Sequence, residues 1–389
     1  MRAFLYQINF AAGSLMRRKA KNISIPLLFA LVISLFCSVE FIASSLYHQS
    51  LVALKYQPDI ILQNLKAGRQ LPLPVSWGKN IQGIIGIRKI SPRVWGYYFD
   101  RYTGANYTIV GLSTEETQRR AHLSLKGNPY PLKEREVLIG KGIMDARCMK
   151  VGDTIQLEKP DGYPITFTVK GAFHADVALW TYDLIIMTPS AARDLFNMKK
   201  TEAWDLAIDV PNPIEVANVS QKVLNMFPGV RIIVKSQLIS TYGTTYGFRS
   251  GLIITLSISC LIAFFILAYD RAAGLSREEQ MEIAILKALG WETQNVIRLN
   301  MLQSLIMSIT GFMLGLIGAY FYVFCLGAPG LRVALTGWSV LYPPYPLIPS
   351  VDITEVTSLL FLTVIPYIVV GIIPVWRSCI IDPEVIFRK

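Results

Sequence analysis

This chain of 389 residues is too apolar and too poor in charge for an ordinary soluble protein. Hydrophobic residues make up 52% of it and charged residues only 17%, and its mean hydropathy is +0.40. Soluble domains carry about 25% charged residues, so part of the chain is expected in lipid, and disordered, collagen-like and disulfide-scaffold proteins are excluded. The net charge of +11 would indicate nucleic-acid binding in a soluble protein, but in a membrane protein it also arises from basic residues kept on one side of the bilayer.

The first 22 residues carry five basic residues and no acidic one. Apolar residues between positions 3 and 16 recur on one side of a helix, and Arg17, Arg18 and Lys19 follow them. We therefore predict a cytoplasmic amphipathic helix over 1–22 that lies at the membrane surface. A plain N-terminal extension of the next segment is the open alternative.

Four segments are long and apolar enough to span a bilayer, which takes about 20 residues; they are 23–46, 251–269, 301–326 and 354–375. A cleaved signal peptide is the alternative for the first, but its apolar stretch exceeds the roughly 7–15 residues of a signal. Basic residues near the span ends place both termini and segment 270–300 in the cytoplasm. Segment 47–250 and the short loop 327–353 are then external, and 376–389 forms a cytoplasmic tail.

Segment 47–250 is predicted to be a mixed α/β domain with its own core. Short β-branched or aromatic runs bounded by turn residues predict seven strands, at 59–62, 107–110, 154–157, 165–169, 184–187, 206–210 and 230–234. Helical spacing over 213–226, between the last two strands, predicts a βαβ unit. The segment holds 25 basic and 17 acidic residues, a surplus that favours anionic lipid headgroups or an acidic partner.

The cytoplasmic stretch 277–290 predicts a well-bounded helix of about 13 residues. Ser276 and Glu279 form a capping box, and Gly290 is suited to stop the helix. Its apolar content exceeds what one side facing the bilayer requires, so something else should cover it. A lever for a cytoplasmic partner and a plain interfacial helix both remain open.

The predicted spans contain three glycines and one acidic residue that indicate specific contacts. Gly311, Gly315 and Gly318 lie near one face of the third span, where small residues let helices approach closely, within the chain or across a dimer. Glu40 lies within the first span, where an acid is costly, so it marks a functional or a structural polar contact.

Enzyme signatures are absent from the sequence. There is no HExxH, no GxSxG and no Walker A run, so no catalytic residue is assigned. The five cysteines show no CxxC and the three histidines no cluster, so no metal ligand is assigned.

Three stretches of the chain carry a family resemblance. They are the cytoplasmic run 277–290 (REEQMEIAILKALG), the ending 374–377 with 382–388 (PVWR and DPEVIFR), and the external pair 137–142 with 151–155 (VLIGKG and VGDTI). Together they resemble the permease subunits of FtsX/MacB/LolC-type ABC transporters, also called type VII or mechanotransmission systems. Phe387 stands where that family usually has a leucine.

The resemblance implies a membrane protein with four transmembrane α-helices and a mixed α/β extracytoplasmic domain, MacB-like and periplasmic, between helices 1 and 2. That domain would divide into porter-like flanks and a β-rich insertion at about 137–200. A separate ABC ATPase subunit would bind ATP and magnesium, with no cofactor on this chain. The interface with the ATPase is assigned to Arg277, Glu278, Glu282, Ile283, Leu286, Lys287, Leu289 and Gly290.

The implied function is that of a non-catalytic permease subunit in the bacterial cytoplasmic (inner) membrane. It would work with a second copy or a paralogous permease and couple ATP hydrolysis to a change in its external domain. Export or extraction of a lipoprotein, peptide or small molecule, and pure mechanotransmission, all remain open. Membrane lipids and a periplasmic or outer-membrane partner are further expected contacts, whereas nucleic acid is not. A membrane-anchored sensor or scaffold without transport is the alternative.

Overall fold

The computed structural model describes residues 10–11, 13–14, 19–55, 57–113, 125–126, 132–173, 181–246, 251–273, 275, 277–336 and 347–380. The chain forms two compact units. We call Met1–Ser45, Gly247–Leu331 and Pro349–Lys389 the helical unit, and Leu46–Tyr246 with Arg332–Ile348 the α/β unit. Ser276 of the predicted capping box, the ending 382–388 and most of the predicted helix over 1–22 lie outside the described residues.

The described helices are α1 (Lys19–Lys55), α2 (Ser76–Ile81), α3 (Lys141–Ala146), α4 (Pro189–Leu195), α5 (Val216–Met226), α6 (Lys235–Tyr246), α7 (Gly251–Ala273), α8 (Arg277–Ala288), α9 (Thr293–Tyr320), α10 (Leu331–Thr336) and α11 (Ile353–Ile380). A 3₁₀ turn at Pro213–Glu215 leads into α5, and a π-helical turn at Phe321–Cys325 continues α9.

The described strands are β1 (Ile60–Lys66), β2 (Arg69–Leu71), β3 (Leu73–Pro74), β4 (Lys89–Asp100), β5 (Ala105–Gly111), β6 (Leu125–Lys126), β7 (Glu136–Ile139), β8 (Thr154–Glu158), β9 (Pro164–Phe173), β10 (Leu184–Met187), β11 (Glu202–Ala203), β12 (Asp205–Asp209) and β13 (Val230–Val234). All seven strands predicted from the sequence are present among them.

Three helical stretches of the described chain are long and apolar enough to cross a membrane, namely Ile23–Lys55, Thr293–Cys325 and Ile353–Ile380. They contain the predicted first and fourth spans, and the predicted third span except for its last residue, Leu326. The predicted second span lies in α7, but the apolar stretch found there, Ile254–Leu267, is shorter than a span. The fourth crossing of the membrane therefore stays a prediction.

Eleven of the described strands form one sheet in the order β13-β1-β12-β4-β5-β10-β7-β9-β6, with β2 beside β1 and β8 beside β9. Strand β4 joins its two halves, because Lys89–Arg93 pair with β12 and Val94–Asp100 pair with β5. The βαβ prediction holds for direction, since β12 and β13 both run antiparallel to β1. However, β1 lies between them, so the unit is split.

Strand β4, the longest described strand, is not among the seven strands predicted from the sequence. Its sequence, KISPRVWGYYFD, contains Pro92 and Gly96, which usually interrupt strands. At Pro92, β4 pairs with β12 alone, because its pairing with β5 begins at Val94. Proline is found in strands that have one side without a partner.

The core of the first half of the sheet forms between its strands and α5. Ile60, Leu62, Leu206 and Ile208 are fully buried there. Apolar spacing in α5 brings Val219 and Val223 onto the same cluster. The first four residues of both β1 and β12 are buried in succession.

Candidate functional site

Helix α8 ends in a motif that defines its length. Gly290 has φ +88°, a left-handed conformation that glycine adopts without strain. The Trp291 N–H donates to the Leu286 carbonyl at 3.0 Å, and the Gly290 N–H donates to the Lys287 carbonyl at 3.0 Å. This is a Schellman motif, so the prediction that Gly290 stops the helix is confirmed.

One face of α8 packs inside the helical unit. Ile283 and Leu286 are only 7% and 6% exposed. They belong to a cluster with residues of α9 and α11 and the segment before α8, which we call the α8 core; its other buried members are Ala11, Leu275, Val296, Leu299, Val375 and Cys379. The chain itself thus covers part of the excess apolar content noted in the sequence, at Ile283 and Leu286.

The opposite face of α8 presents an apolar stripe. Met281, Ile285 and Leu289 are 47%, 48% and 73% exposed. Successive members are four residues apart, so they line up along one side of the helix. We call these three residues the exposed stripe.

The interface with the ATPase stays a prediction, and this division bears on two of its positions. Ile283 and Leu286 were assigned to contact with a partner, but their side chains are enclosed by the α8 core and present almost no surface. Met281 and Ile285 were left out of that assignment although they are exposed. Their spacing with Leu289 was the signal that could have identified them, once the buried face was known.

The other predicted interface residues divide between surface and internal contacts. Arg277, Glu278, Leu289 and Gly290 are exposed. Glu282 Oε1 accepts a hydrogen bond from Ser14 Oγ at 3.0 Å, and Gln303 Nε2 donates to the same hydroxyl at 3.0 Å. Lys287 Nζ donates to Thr293 Oγ1 at 3.1 Å. Glu282 and Lys287 therefore anchor α8 to neighbouring segments.

The glycines of α9 lie against α1 within the helical unit. A Cβ at Gly311 would stand 2.8 Å from the Pro26 carbonyl oxygen, and one at Gly315 would stand 2.7 Å from the Ala30 carbonyl oxygen. A Cβ at Gly318 would come no closer than 3.5 Å to Ser34 Oγ. Close helix approach thus occurs inside this chain at the first two positions.

Glu40 is 7% exposed and borders a cavity of about 80 Å³ between α1, α7 and α11. Glu355 lines the same cavity, with Cys37, Cys260 and Thr363. The Glu40 Oε2 atom has no hydrogen-bond partner among the described residues. Across those residues, no group of three or more His, Cys, Asp or Glu side chains could hold a metal ion.

Two buried acids of the α/β unit are held by arginines. Asp205 accepts from Arg93 at 2.6 and 2.8 Å and from the Trp95 indole N–H at 2.8 Å. Asp100 is paired with Arg147 and accepts from Tyr107 Oη and Thr103 Oγ1, each at 2.6 Å. Burial raises the pKa of Asp100, but the hydrogen bonds from Arg147, Thr103 and Tyr107 outweigh it and lower the pKa to about 2. Both acids are thus structural ion pairs.

These features define a membrane protein whose helical unit carries a capped, half-buried helix beside long apolar helices. Residues 250–383 match the family model FtsX-like permease C-terminal. That stretch contains α7 to α11, and with them the exposed stripe and the three glycines. This part of the chain is similar to the C-terminal domain of FtsX-like permeases, and the resemblance noted in the sequence is confirmed for it.

The fold is also similar to that of solved structures. One is the periplasmic region of MacB from Actinobacillus actinomycetemcomitans, at 13% identity and a TM-score of 0.35, covering 48% of this chain and 92% of that one. Another is the extracellular domain of the noncanonic ABC-type transporter YknZ from Gram-positive bacteria, at 10% identity and a TM-score of 0.33, covering 45% and 98%. No curated protein matches the chain.

Proposed function

We propose that this chain is the permease subunit of an ABC transporter, coupling ATP hydrolysis by a separate ATPase subunit to a change of shape in its α/β unit. The observation that carries the proposal is the exposed stripe on α8, inside the part of the chain that is similar to FtsX-like permeases. An apolar stripe on a short helix between two long apolar helices is suited to dock another protein.

The contacts of α8 suit it to transmit a displacement. Its buried face packs on α9 and α11 through Ile283 and Leu286, and Lys287 bonds to the start of α9. Close-packed side chains do not deform independently. A partner that moves the exposed stripe would therefore move the ends of both long helices.

We also propose the membrane in which the chain lies, its orientation there and its partners. The chain lies in the bacterial inner membrane with both termini and α8 in the cytoplasm, following the distribution of basic residues. It works with a second permease, identical or paralogous, and ATP and magnesium bind in the partner ATPase. Since Gly311 and Gly315 are already occupied by α1, the second permease contacts another face.

The test compares the wild type with two variants of the full chain, each purified from its native membrane. Ile285→Ser with Leu289→Ser removes two members of the stripe, and Ile214→Ser removes an isoleucine of the α/β unit that is 87% exposed. Truncating interface anchors costs roughly 2 kcal/mol or more. We expect the ATPase activity that co-purifies with the double variant to be at least about tenfold lower than that of the wild type. The Ile214→Ser variant should co-purify with the wild-type amount.

Two outcomes would reject parts of the proposal. If the double variant, folded as the wild type, retains the same ATPase, the stripe is not the interface. If the folded wild-type chain carries no ATPase at all, the sensor or scaffold interpretation replaces the transporter.

A further inference from the structure

A polar cavity of about 450 Å³ opens in the α/β unit, apart from every residue discussed above as an interface. It lies where four strands of the sheet end together, because Ile60 at the start of β1 pairs with Ile208 of β12 and Val234 of β13, and Asp209 pairs with Lys89 of β4. The end of α1 and the start of α6 complete its wall through Lys55 and Lys235. Its volume is within the roughly 300–1,000 Å³ range of ligand sites.

The wall of this cavity is strongly basic. Five cations line it and only two acids; the cations are Lys55, Arg88, Lys89, Arg93 and Lys235, and the acids are Asp59 and Asp209. These charged residues are not adjacent in the sequence, since they are spread from position 55 to position 235. The fold assembles a local positive surplus inside a unit that is itself basic.

Both arginines of the wall are held by acids. Arg88 is hydrogen-bonded to Asp209, with Nε at 2.9 Å, and Arg93 is paired with the buried Asp205 behind the wall. Lys235 Nζ donates to the Lys55 backbone carbonyl at 3.0 Å, a neutral acceptor that leaves the ammonium charge in place. Lys55 and Lys235 therefore place two ammonium charges beside one remaining acid, Asp59.

That remaining acid, Asp59, is held by a backbone hydrogen bond. Asp59 Oδ2 accepts a hydrogen bond from the Val210 N–H at 3.0 Å. Burial raises the pKa of Asp59 above its ordinary value, although the Val210 bond and the nearby Lys235 oppose the rise.

We propose that this cavity binds a phosphate group, held by Lys55 and Lys235 and framed by the two pinned arginines. Ammonium groups at a concave, polar wall attract compact anions, and guanidiniums already fixed by acids lose little entropy when they add a bond. Two sources of that group fit: the headgroup of an anionic phospholipid and a soluble phosphate compound. The proposal does not depend on the proposed transporter function.

The test uses the full chain in an uncharged detergent, titrated with inorganic phosphate, dihexanoyl phosphatidylglycerol and dihexanoyl phosphatidylcholine. Lys55→Gln with Lys235→Gln removes the two ammonium charges, whereas Lys55→Arg with Lys235→Arg keeps them. Lys66→Gln with Lys222→Gln, two exposed lysines of the same unit outside the cavity, is the matched control.

We expect the glutamine pair to weaken anion binding at least about tenfold, as the loss of roughly 1 kcal/mol per charge contact gives. The arginine pair and the control should bind as the wild type, and added salt should weaken binding. Binding of phosphatidylglycerol but not inorganic phosphate supports the lipid source, and binding of inorganic phosphate supports the soluble one. The proposal is overturned if neither anion binds the wild type, or if the glutamine pair binds as tightly as the control.

Discussion

Three glycines with the same apparent spacing in α9 differ in what they contact. Gly311 and Gly315 face backbone atoms of α1 at distances that no Cβ tolerates, whereas Gly318 faces only a serine hydroxyl at an ordinary distance. Their shared pattern in the sequence predicts close packing but not which position needs it. That depends on where α1 crosses.

The glycines therefore predict a graded mutational response. Gly311→Ala and Gly315→Ala should each destabilise the full chain by about 1–3 kcal/mol, because the backbone of α1 must shift. Gly318→Ala should be neutral or stabilising by up to about 1 kcal/mol, since alanine favours helix. Thermal unfolding of the purified chain in detergent measures all three, and equal midpoints would contradict the packing described.

The buried pair of Arg147 and Asp100 predicts a second residue-level contrast. Arg147→Met leaves the Asp100 carboxylate buried without a cation, which should cost about 3–5 kcal/mol. Arg101→Met removes an arginine that is mostly exposed and 3.7 Å from Glu158, and should cost less than about 1 kcal/mol. Similar losses for both arginines, measured by unfolding of the full chain, would argue against a structural role for the pair.

Asp100 also predicts a pH dependence with a definite sign. Its pKa in the folded chain is about 2, below the ordinary value of about 3.9. A lowered pKa stabilises the fold above the ordinary value, and this contribution is lost as the pH falls from about 4 towards 2. The stability advantage of the wild type over Asp100→Asn should shrink across that interval and stay constant between pH 5 and 7; an unchanged advantage at pH 3 would refute the assignment.

At the level of elements, local sequence signals predict some properties of α8 and leave others open. Its position and its glycine stop follow from local rules, and the structure places both as expected. Which side of it meets a partner does not follow, because α8 is apolar on both sides. Only packing against α9 and α11 separates the buried face from the exposed stripe.

The stop at Gly290 predicts an ordered series of variants. Asparagine accepts a left-handed backbone better than a β-branched residue does, so stability should fall from glycine to Gly290→Asn and further to Gly290→Val. The valine variant should lose about 1 kcal/mol or more and fray the end of α8. Hydrogen exchange of α8 in the full chain reports the fraying, and equal exchange in the two variants would contradict the left-handed stop.

For the α/β unit as a whole, β4 is the strand on which both halves of the sheet depend. Arg93→Met removes the guanidinium that pairs with the buried Asp205 carboxylate. Hydrogen exchange should therefore rise in both β12 and β5, which pair with β4. Ile155→Ala creates a cavity under β8, which pairs only with β9, and should raise exchange in that half alone. Exchange confined to one half in the first variant would show that the halves are independent.

The sequence by itself determined the apolar spans of α1, α9 and α11, the seven short strands and the stop of α8, since these depend on hydrophobic runs, alternation and single-residue backbone preferences. Only the tertiary structure decided the extent of β4, the buried face of α8, the need for glycine at Gly311 and Gly315, and the basic cavity. Each of these depends on residues distant in the chain: Lys55 and Lys235 become neighbours only because β1 and β13 pair. Local patterns describe what a segment can bury, whereas the partner that buries it is chosen by the whole fold.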